Sequence, residues 1–128
     1  MKNIDVQTTA HEQFVNITDR VQQAVNGLGI TDGTVTVFVP HTTCAVTINE
    51  NEDPNVSKDI LGQLDAMAPW GNPAYKHVSG NSAAHVKASL LGSSVSVIVA
   101  YGNLQLGMWQ GIYLCEFDGP RIRHVWVQ

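Results

Sequence analysis

Charge is scarce in this sequence of 128 residues, of which only 14% are Asp, Glu, Lys or Arg; a typical soluble domain has about 25%. The charges that are present are mostly acidic, with 7 Lys and Arg against 11 Asp and Glu and a formal net charge of -4. Because nucleic-acid-binding domains usually carry a basic excess, the composition argues against that class. A small domain with so little charge exposes an unusually apolar surface, and we expect another subunit to cover part of it.

Long apolar runs and export signals are also missing. No stretch of about 20 apolar residues exists, so we expect no membrane-spanning segment. The first residues, MKNIDVQTTA, lack the apolar core of a signal peptide, which favours a cytoplasmic protein. Only two cysteines occur, Cys44 and Cys115, both within apolar runs. We interpret them as reduced thiols buried in the core.

Alternating apolar and polar residues predict several short strands. They are predicted around residues 4–6, 14–15, 34–39, 44–48, 94–99, 109–117 and 121–127. The last two strands are separated by Asp118-Gly119-Pro120, a strong turn signal, and we expect them to form a hairpin.

Three segments have helical patterns. Apolar residues at helical spacing predict a first helix with Thr18 or Asp19 as its N-cap, ended by Gly27 and Gly29. A second helix is predicted to begin with Asp53 as N-cap and Pro54 in its first turn. A third follows Asn81, over residues 82–91. The length and this mixture predict one domain over residues 1–128, an α+β fold with a mostly antiparallel sheet or sandwich and two to three helices.

The common phosphate-binding and nucleophile motifs are absent: there is no P-loop, no Gly-x-Gly-x-x-Gly and no Gly-x-Ser-x-Gly. Histidines are better placed. His41 lies at a strand corner beside Thr42 and Thr43, while His77 and His85 flank the start of the third helix. Three His ligands with an open fourth position are common at catalytic zinc sites.

We therefore take His41, His77 and His85 as candidate ligands of a divalent metal ion, zinc or magnesium. Asn81 and His85, four residues apart, share one face of the helix, whose N-terminus favours an anion. The alternative is that His41 and His77 are loop residues bonded to the backbone and that His85 bonds a carbonyl. His11 and His124 are interpreted as ordinary strand-face residues.

Three further residues are candidates for chemistry or binding. Glu50 ends the strand that follows the His41 corner and is a reasonable general base. Gln110 would need a partner if it were buried, and contact with substrate or a subunit would supply one. Arg121 either pairs with Glu116 or Asp118 or binds a phosphate in bidentate fashion.

Several of these motifs, in the same order, resemble the YjbQ family of small proteins. The resemblance covers residue 34 to the end, and its motifs are His41-Thr42-Thr43, Thr47 to Asn51, Asp53-Pro54, His77 to His85, Lys87 to Leu90, Trp109 to Ile112 and Glu116 to Arg121. Membership implies a compact α+β protein that assembles as a homotrimer. It also implies a pocket at the subunit interface, lined by His41, Glu50, His77, Asn81, His85, Gln110 and Arg121.

The family is associated with secondary thiamine-phosphate synthase activity, which joins a pyrimidine pyrophosphate to a thiazole phosphate and releases pyrophosphate. In such a reaction the metal ion and Arg121 would offset charge on the leaving group, and Glu50 or a histidine such as His41 would handle the proton. Asn81, Gln110, Thr42 and Thr43 would bind the substrate. The alternatives are a different metal-dependent hydrolase with His-bound zinc, and a non-catalytic trimer that binds a small anionic molecule.

Overall fold

Eight strands and three helices make up the chain, and a computed structural model describes all of residues 1–128. The strands are β1 (Lys2–Gln7), β2 (Gln13–Asn16), β3 (Asp32–Phe38), β4 (Cys44–Glu50), β5 (Ser94–Ala100), β6 (Asn103–Leu104), β7 (Gln110–Glu116) and β8 (Ile122–Val127). The helices are α1 (Thr18–Leu28), α2 (Pro54–Met67) and α3 (Ser82–Leu91). None of the three combines the length and the apolar character that a membrane crossing requires.

The strands form two antiparallel sheets. The larger sheet has the order β1-β8-β3-β5-β6, and the smaller has the order β2-β7-β4. Every strand pairing is antiparallel. The prediction of an α+β fold with antiparallel sheets and helices is therefore confirmed.

Two hydrophobic clusters hold these layers together. The larger cluster lies between the two sheets and includes Val21 and Val25 of α1. The smaller one joins the other face of the three-stranded sheet to α2 and α3, with Leu64 and Ala88 among its members. Burial of such apolar area is the main contribution to the stability of the fold. The outward residues of β8 remain exposed, so the large sheet has one covered and one open face.

Two helix ends follow the local chemistry expected from the sequence, and one does not. At α2, the Asp53 carboxylate accepts from the Asn55 N–H at 2.9 Å, and Pro54 is the first helical residue, as predicted. Gly29 ends α1 in the left-handed conformation, with φ of 69°. At the start of α1, neither predicted cap acts as one. The Thr18 hydroxyl instead accepts from the Ile112 N–H at 2.9 Å.

The predicted hairpin over the last two strands is wrong. β7 pairs with β2 and β4, while β8 pairs with β1 and β3, so residues 117–121 cross from one sheet to the other. The burial patterns explain the difference. Residues 111–116 of β7 are buried on both faces, between two layers, whereas β8 alternates between buried and exposed positions. A turn signal indicates where the chain bends and does not indicate which sheet the next strand joins.

Candidate functional site

Two sheet-to-sheet connections lie side by side at one end of the molecule. The β3–β4 connection contains the His41 corner, and the β7–β8 connection contains Asp118 and Arg121. A backbone bond from the Phe117 N–H to the Thr43 carbonyl, at 3.2 Å, joins them. The first turn of α3 completes a polar cleft of about 370 Å³. Its lining residues are Pro40, His41, Thr42, Thr43, Asn81, His85, Asp118, Arg121 and Arg123.

The cleft gathers most, but not all, of the residues proposed from the sequence. His41, Thr42, Thr43, Asn81, His85 and Arg121 line it together. His77 lies next to it, with its exposed ring 5.3 Å from that of His85, edge to face. Glu50 and Gln110 lie elsewhere.

Glu50 and Gln110 face each other at the far end of the β4–β7 pair. The cleft end of that pair is Cys44 opposite Glu116, six residues back along β4. At about 3.3 Å per residue, this separates Glu50 from the cleft by roughly 20 Å. Within one chain, these two residues do not reach the other candidates.

Arg121 is held by Asp118. Its Nε donates to the Asp118 carbonyl at 2.7 Å, and its Nη2 donates to Asp118 Oδ2 at 3.1 Å. Of the two ion-pair partners considered from the sequence, Asp118 is therefore the one used. This contact occupies one edge of the guanidinium. The opposite edge, with Nη1 and the second Nη2 hydrogen, has no partner in the protein, and the side chain is 54% exposed. Such an edge can bind a phosphate in bidentate fashion.

Asn81 occupies the N-cap position of α3 but does not cap the helix with its side chain. Its Nδ2 donates instead to Asp118 Oδ2 at 3.0 Å, which links α3 to the β7–β8 connection. Its Oδ1 is buried and has no hydrogen-bond partner. A residue that gives up the favourable capping geometry and leaves a buried acceptor unsatisfied is more typical of a functional site than of a purely structural one.

His41 has a defined tautomer. Its Nε2 accepts from the backbone N–H of His124 at 2.8 Å, so in the neutral ring the proton is on Nδ1. Partial burial, followed by the positive charge of Arg123, lowers the pKa of His41 and favours that neutral form. His41 therefore acts as a hydrogen-bond donor through Nδ1.

His85 differs from His41 because its imidazole has no hydrogen-bond partner. The ring lies half-buried in the cleft and also borders a neighbouring groove of about 460 Å³ that contains His41, Thr42 and Ser89. The Ser89 hydroxyl donates to the backbone carbonyl of His85 at 2.9 Å and not to its ring. Both ring nitrogens are therefore available. An unpartnered imidazole in a polar cleft is suited to proton transfer.

The three proposed metal ligands do not converge within one chain. In His41, Nε2 is engaged by the backbone and Nδ1 carries the proton, so neither nitrogen offers a lone pair to a metal ion. No three His, Cys, Asp or Glu side chains come together as a metal-binding group. Within one chain, these residues therefore do not fit a three-histidine metal centre. A divalent ion, zinc or magnesium, stays a prediction.

Arg123 and Glu116 form a buried ion pair that sequence reasoning did not assign to the site. Arg123 Nε lies 2.9 and 3.0 Å from the two Glu116 oxygens, and Nη2 also donates to that carboxylate. Glu116 accepts further from the Thr8 hydroxyl at 2.7 Å and the Asp118 N–H at 3.1 Å. Burial alone would raise the pKa of Glu116, but these bonds outweigh it and lower the pKa.

A sequence signal for this pair existed. Arg123 precedes Val125 and Val127 in strict alternation, which assigns it to the inward face of its strand. An arginine at an inward position needs a buried partner. The predicted hairpin instead makes Arg121 the partner of Glu116 or Asp118.

His124 lies on the exposed face of β8, as interpreted from the sequence, whereas His11 lies outside the strands; both have polar neighbours. His124 Nδ1 lies 2.7 Å from Asp5 Oδ1, and its ring stacks on that of His41 at 5.8 Å. His11 belongs to the loop before β2, where its ring contacts Trp70 at 4.4 Å and its Nε2 lies 4.0 Å from Asp118. Each of these neighbours is distant in sequence from the histidine that it contacts, so no local pattern indicates the contact.

The comparisons with known proteins agree on a single family. The sequence model described as "UPF0047 protein YjbQ-like" matches residues 2–128. The UPF0047 protein YugU of Bacillus subtilis is 45% identical over 128 residues, which cover 100% of this chain and 97% of that protein. A UPF0047 protein of Methanocaldococcus jannaschii is 43% identical over 96% of this chain and 88% of its own length.

Solved structures have the same fold. The crystal structure of a YjbQ/UPF0047 family protein from Clostridium acetobutylicum superimposes with a TM-score of 0.97 at 52% identity, covering 100% of this chain and 98% of that one. A conserved hypothetical protein from Thermus thermophilus superimposes with a TM-score of 0.93 at 45% identity, with the same coverage of both chains.

Proposed function

Because this chain belongs to the YjbQ-like UPF0047 family, and because its polar cleft combines anion-binding and proton-transfer groups, we propose that it is an enzyme acting on a small phosphorylated substrate. One observation carries the proposal. The free guanidinium edge of Arg121 and the unpartnered imidazole of His85 line the same cleft. A phosphate held by the first would lie beside an acid–base group.

The reaction that we propose to test first is of the thiamine-phosphate synthase type. The thiazole nitrogen attacks the methylene carbon of the pyrimidine pyrophosphate with its lone pair, forming a C–N bond. The C–O bond breaks, and its electrons leave with the pyrophosphate. The free edge of Arg121 would offset the charge that develops on the leaving group. A protonated His85 would donate a proton to it.

His41 has a different role in this proposal from the one expected of a base. Since its Nε2 accepts from the His124 backbone, its Nδ1–H is a fixed donor. A neutral imidazole that donates from a preorganised position stabilises developing negative charge without first losing a proton. Thr42, exposed at the rim, adds a hydroxyl.

The test is turnover by purified protein of a pyrimidine pyrophosphate and a thiazole phosphate, with pyrophosphate release as the readout. His85→Gln and Arg121→Met should each lower the rate by about 10² or more, the usual contribution of one such group. Arg20→Met, on α1 and outside the cleft, is the control. An unchanged rate of pyrophosphate release in both cleft variants would reject the proposal. A lack of turnover with every phosphate ester tried would also reject it.

A phosphate ester hydrolase is the second candidate. The half-buried, unpartnered ring of His85 favours it, because such a group can take a proton from an attacking water. Hydrolysis of pyrophosphate or of either substrate alone, lost in His85→Gln, would indicate this reaction. Binding without turnover of any compound would instead indicate a non-catalytic ligand-binding protein.

We also propose that the complete site is shared between copies of the chain in a homotrimer. Glu50 and Gln110 lie at the opposite end of the small sheet from the cleft, roughly 20 Å away. A neighbouring copy that brought this end to the cleft would add a general base and an amide. Exposed apolar side chains such as Trp126 and Leu90 are available for such contacts.

Mixing variants tests this arrangement directly. His85→Gln and Glu50→Gln proteins, each inactive alone, should regain activity after they are unfolded together and refolded, because some mixed sites would be intact. The mixture would remain inactive if every site were formed by one chain. Light scattering measures the mass of the assembly, and a monomer would contradict the proposal.

The two free, buried thiols favour a reducing compartment, and we propose the cytoplasm.

A further inference from the structure

Arg123 has one nitrogen that the protein does not use. Its Nε and Nη2 donate to Glu116, and Nη2 also contacts the Thr43 hydroxyl at 2.8 Å and the Thr43 carbonyl at 3.2 Å. Nη1 has no partner in the protein, although the side chain is only 5% exposed. A buried guanidinium normally satisfies all its donors within the protein or with bound molecules.

The free nitrogen faces the cleft. Asn81 Oδ1 is the only fully enclosed polar side-chain atom without a partner, so Arg123 Nη1 is not enclosed and its small exposed surface must open outwards. Arg123 is one of the residues that line the cleft. Its small exposed surface therefore opens onto space that a ligand can occupy.

The surroundings of Arg123 prepare it to bind an anion. Glu116 accepts hydrogen bonds from the Thr8 hydroxyl and the Asp118 N–H as well as from Arg123. Its negative charge therefore only partly neutralises the guanidinium of Arg123. The Thr43 hydroxyl accepts from Arg123, which leaves its own hydrogen free to donate into the cleft. Buried ion pairs contribute little net stability, so such a network is better explained by what it positions.

Arg121 is two residues away along an extended segment and presents its own free edge to the same cleft. Residues two positions apart in extended backbone lie about 7 Å apart at their Cα atoms, and both of these arginines line the cleft. A ligand with two linked phosphate groups matches two such donors better than one with a single phosphate.

We propose that Arg123 is a ligand-binding residue: its Nη1 and the Thr43 hydroxyl hold one phosphate of a diphosphate ester, and Arg121 holds the other. This rests on the proposed function, since it assigns the substrate class of the same cleft. It makes Arg123 a direct contact of the ligand as well as a partner of Glu116. The cleft then selects diphosphates over monophosphates.

The first experiment uses the unmodified protein, so that it does not depend on a variant that folds. Inorganic pyrophosphate is titrated while the ¹⁵N resonances of the arginine side chains are followed by NMR. We expect Arg123 and Arg121 to shift with the same dissociation constant, and Arg20, outside the cleft, to stay unchanged. Pyrophosphate binding that moves Arg121 but not Arg123 overturns the inference, and so does a complete failure to bind.

The second experiment compares pyrophosphate with phosphate by calorimetry. We expect pyrophosphate to bind at least about tenfold more tightly, the effect of one additional charged hydrogen bond. Arg123→Lys keeps a cation beside Glu116 but lacks Nη1, and Thr43→Val removes the hydroxyl with little change of shape. Each should bring the two affinities closer together, while Arg20→Lys should not. Equal affinities in the unmodified protein overturn the inference.

These results separate the two proposals. Binding of pyrophosphate with a shift of Arg123, but without turnover of any diphosphate ester, supports the role of Arg123 and rejects an enzyme. Turnover of a diphosphate ester while the Arg123 resonance stays unchanged supports an enzyme and rejects the role of Arg123 in binding.

Discussion

The backbone N–H of His124 donates to Nε2 of His41 at 2.8 Å, and this bond determines which nitrogen of His41 carries the proton. It also removes His41 from the set of residues able to accept a proton in the cleft. The acid–base role passes to His85, whose ring has no partner, and His41 becomes a donor.

This environment makes the stability of the protein depend on pH. Burial and then the charge of Arg123 lower the pKa of His41, so the unfolded chain, with a His pKa of about 6.5, binds a proton there more readily than the folded protein. The contribution of His41 is fully present above that value and is lost as the pH falls towards the lowered pKa. We expect the melting temperature to drop between about pH 7 and pH 5.5, and less so in His41→Gln.

The control for this measurement is His77→Gln, because that side chain is exposed on a loop. It should show the pH dependence of the unmodified protein. If His41→Gln did so as well, the pH dependence would have to come from other groups.

The Glu116–Arg123 pair should be costly to break from one side. Glu116→Gln leaves a buried guanidinium without its carboxylate, and we expect a loss of roughly 3–5 kcal/mol in the free energy of unfolding. Urea denaturation measures this loss. Arg121→Met is the matched control, because the Arg121 side chain is 54% exposed and its pair with Asp118 contributes about 0–1 kcal/mol. Similar losses in the two variants would contradict the prediction.

Gly119 should tolerate no side chain. A Cβ at this position would overlap the Ala10 carbonyl oxygen and lie 2.9 Å from the Thr8 hydroxyl oxygen, and the Ala10 backbone cannot move aside without distorting the chain. Overpacking of this kind destabilises by about 1–3 kcal/mol, and we expect Gly119→Ala to fall at or above the upper end. The control is Gly62→Ala, within α2, where an added Cβ would have no other part of the protein within 4 Å. It should stabilise the protein by about 0.5–1 kcal/mol.

Neither cysteine should react in the folded protein. Burial raises the pKa of the Cys44 thiol to about 12, and burial also raises the pKa of Cys115 well above its usual range. Since the thiolate is the reactive form, we expect no alkylation by iodoacetamide at neutral pH. Mass spectrometry after labelling, with urea-unfolded protein as the positive control, provides the measurement. Rapid labelling of Cys44 beside His41 would instead indicate a reactive thiol.

Ligand binding should not depend on a divalent ion. Because His41 has no free lone pair, His77 and His85 alone do not form a three-histidine centre within one chain. We expect the affinity for pyrophosphate to stay within about twofold after dialysis against EDTA. Metal analysis of protein made without a His-tag accompanies the binding measurement. A loss of affinity that zinc or magnesium restores would support the metal ligands predicted from the sequence.

The candidate site was only partly predictable from the sequence. The cleft contains His41, Asn81, His85 and Arg121, because each lies next to a strand corner or helix start that local patterns identify. Arg123 is not among the predicted site residues, although it alternates with Val125 in the sequence. Its role depends on Glu116, and that contact exists only after two strands in different sheets are brought together.

The amino-acid sequence by itself determined most of the elements and some of their ends, since periodicity and capping chemistry act over a few residues. α2 begins at Pro54 and α1 is ended by Gly29 for such local reasons. Only the tertiary structure decided that β7 and β8 belong to different sheets and that Glu50 lies far from His41. It also decided that Nε2 of His41 is occupied by His124. These are contacts between residues distant in sequence, and their free energy comes from the packing of whole layers, which no local pattern encodes.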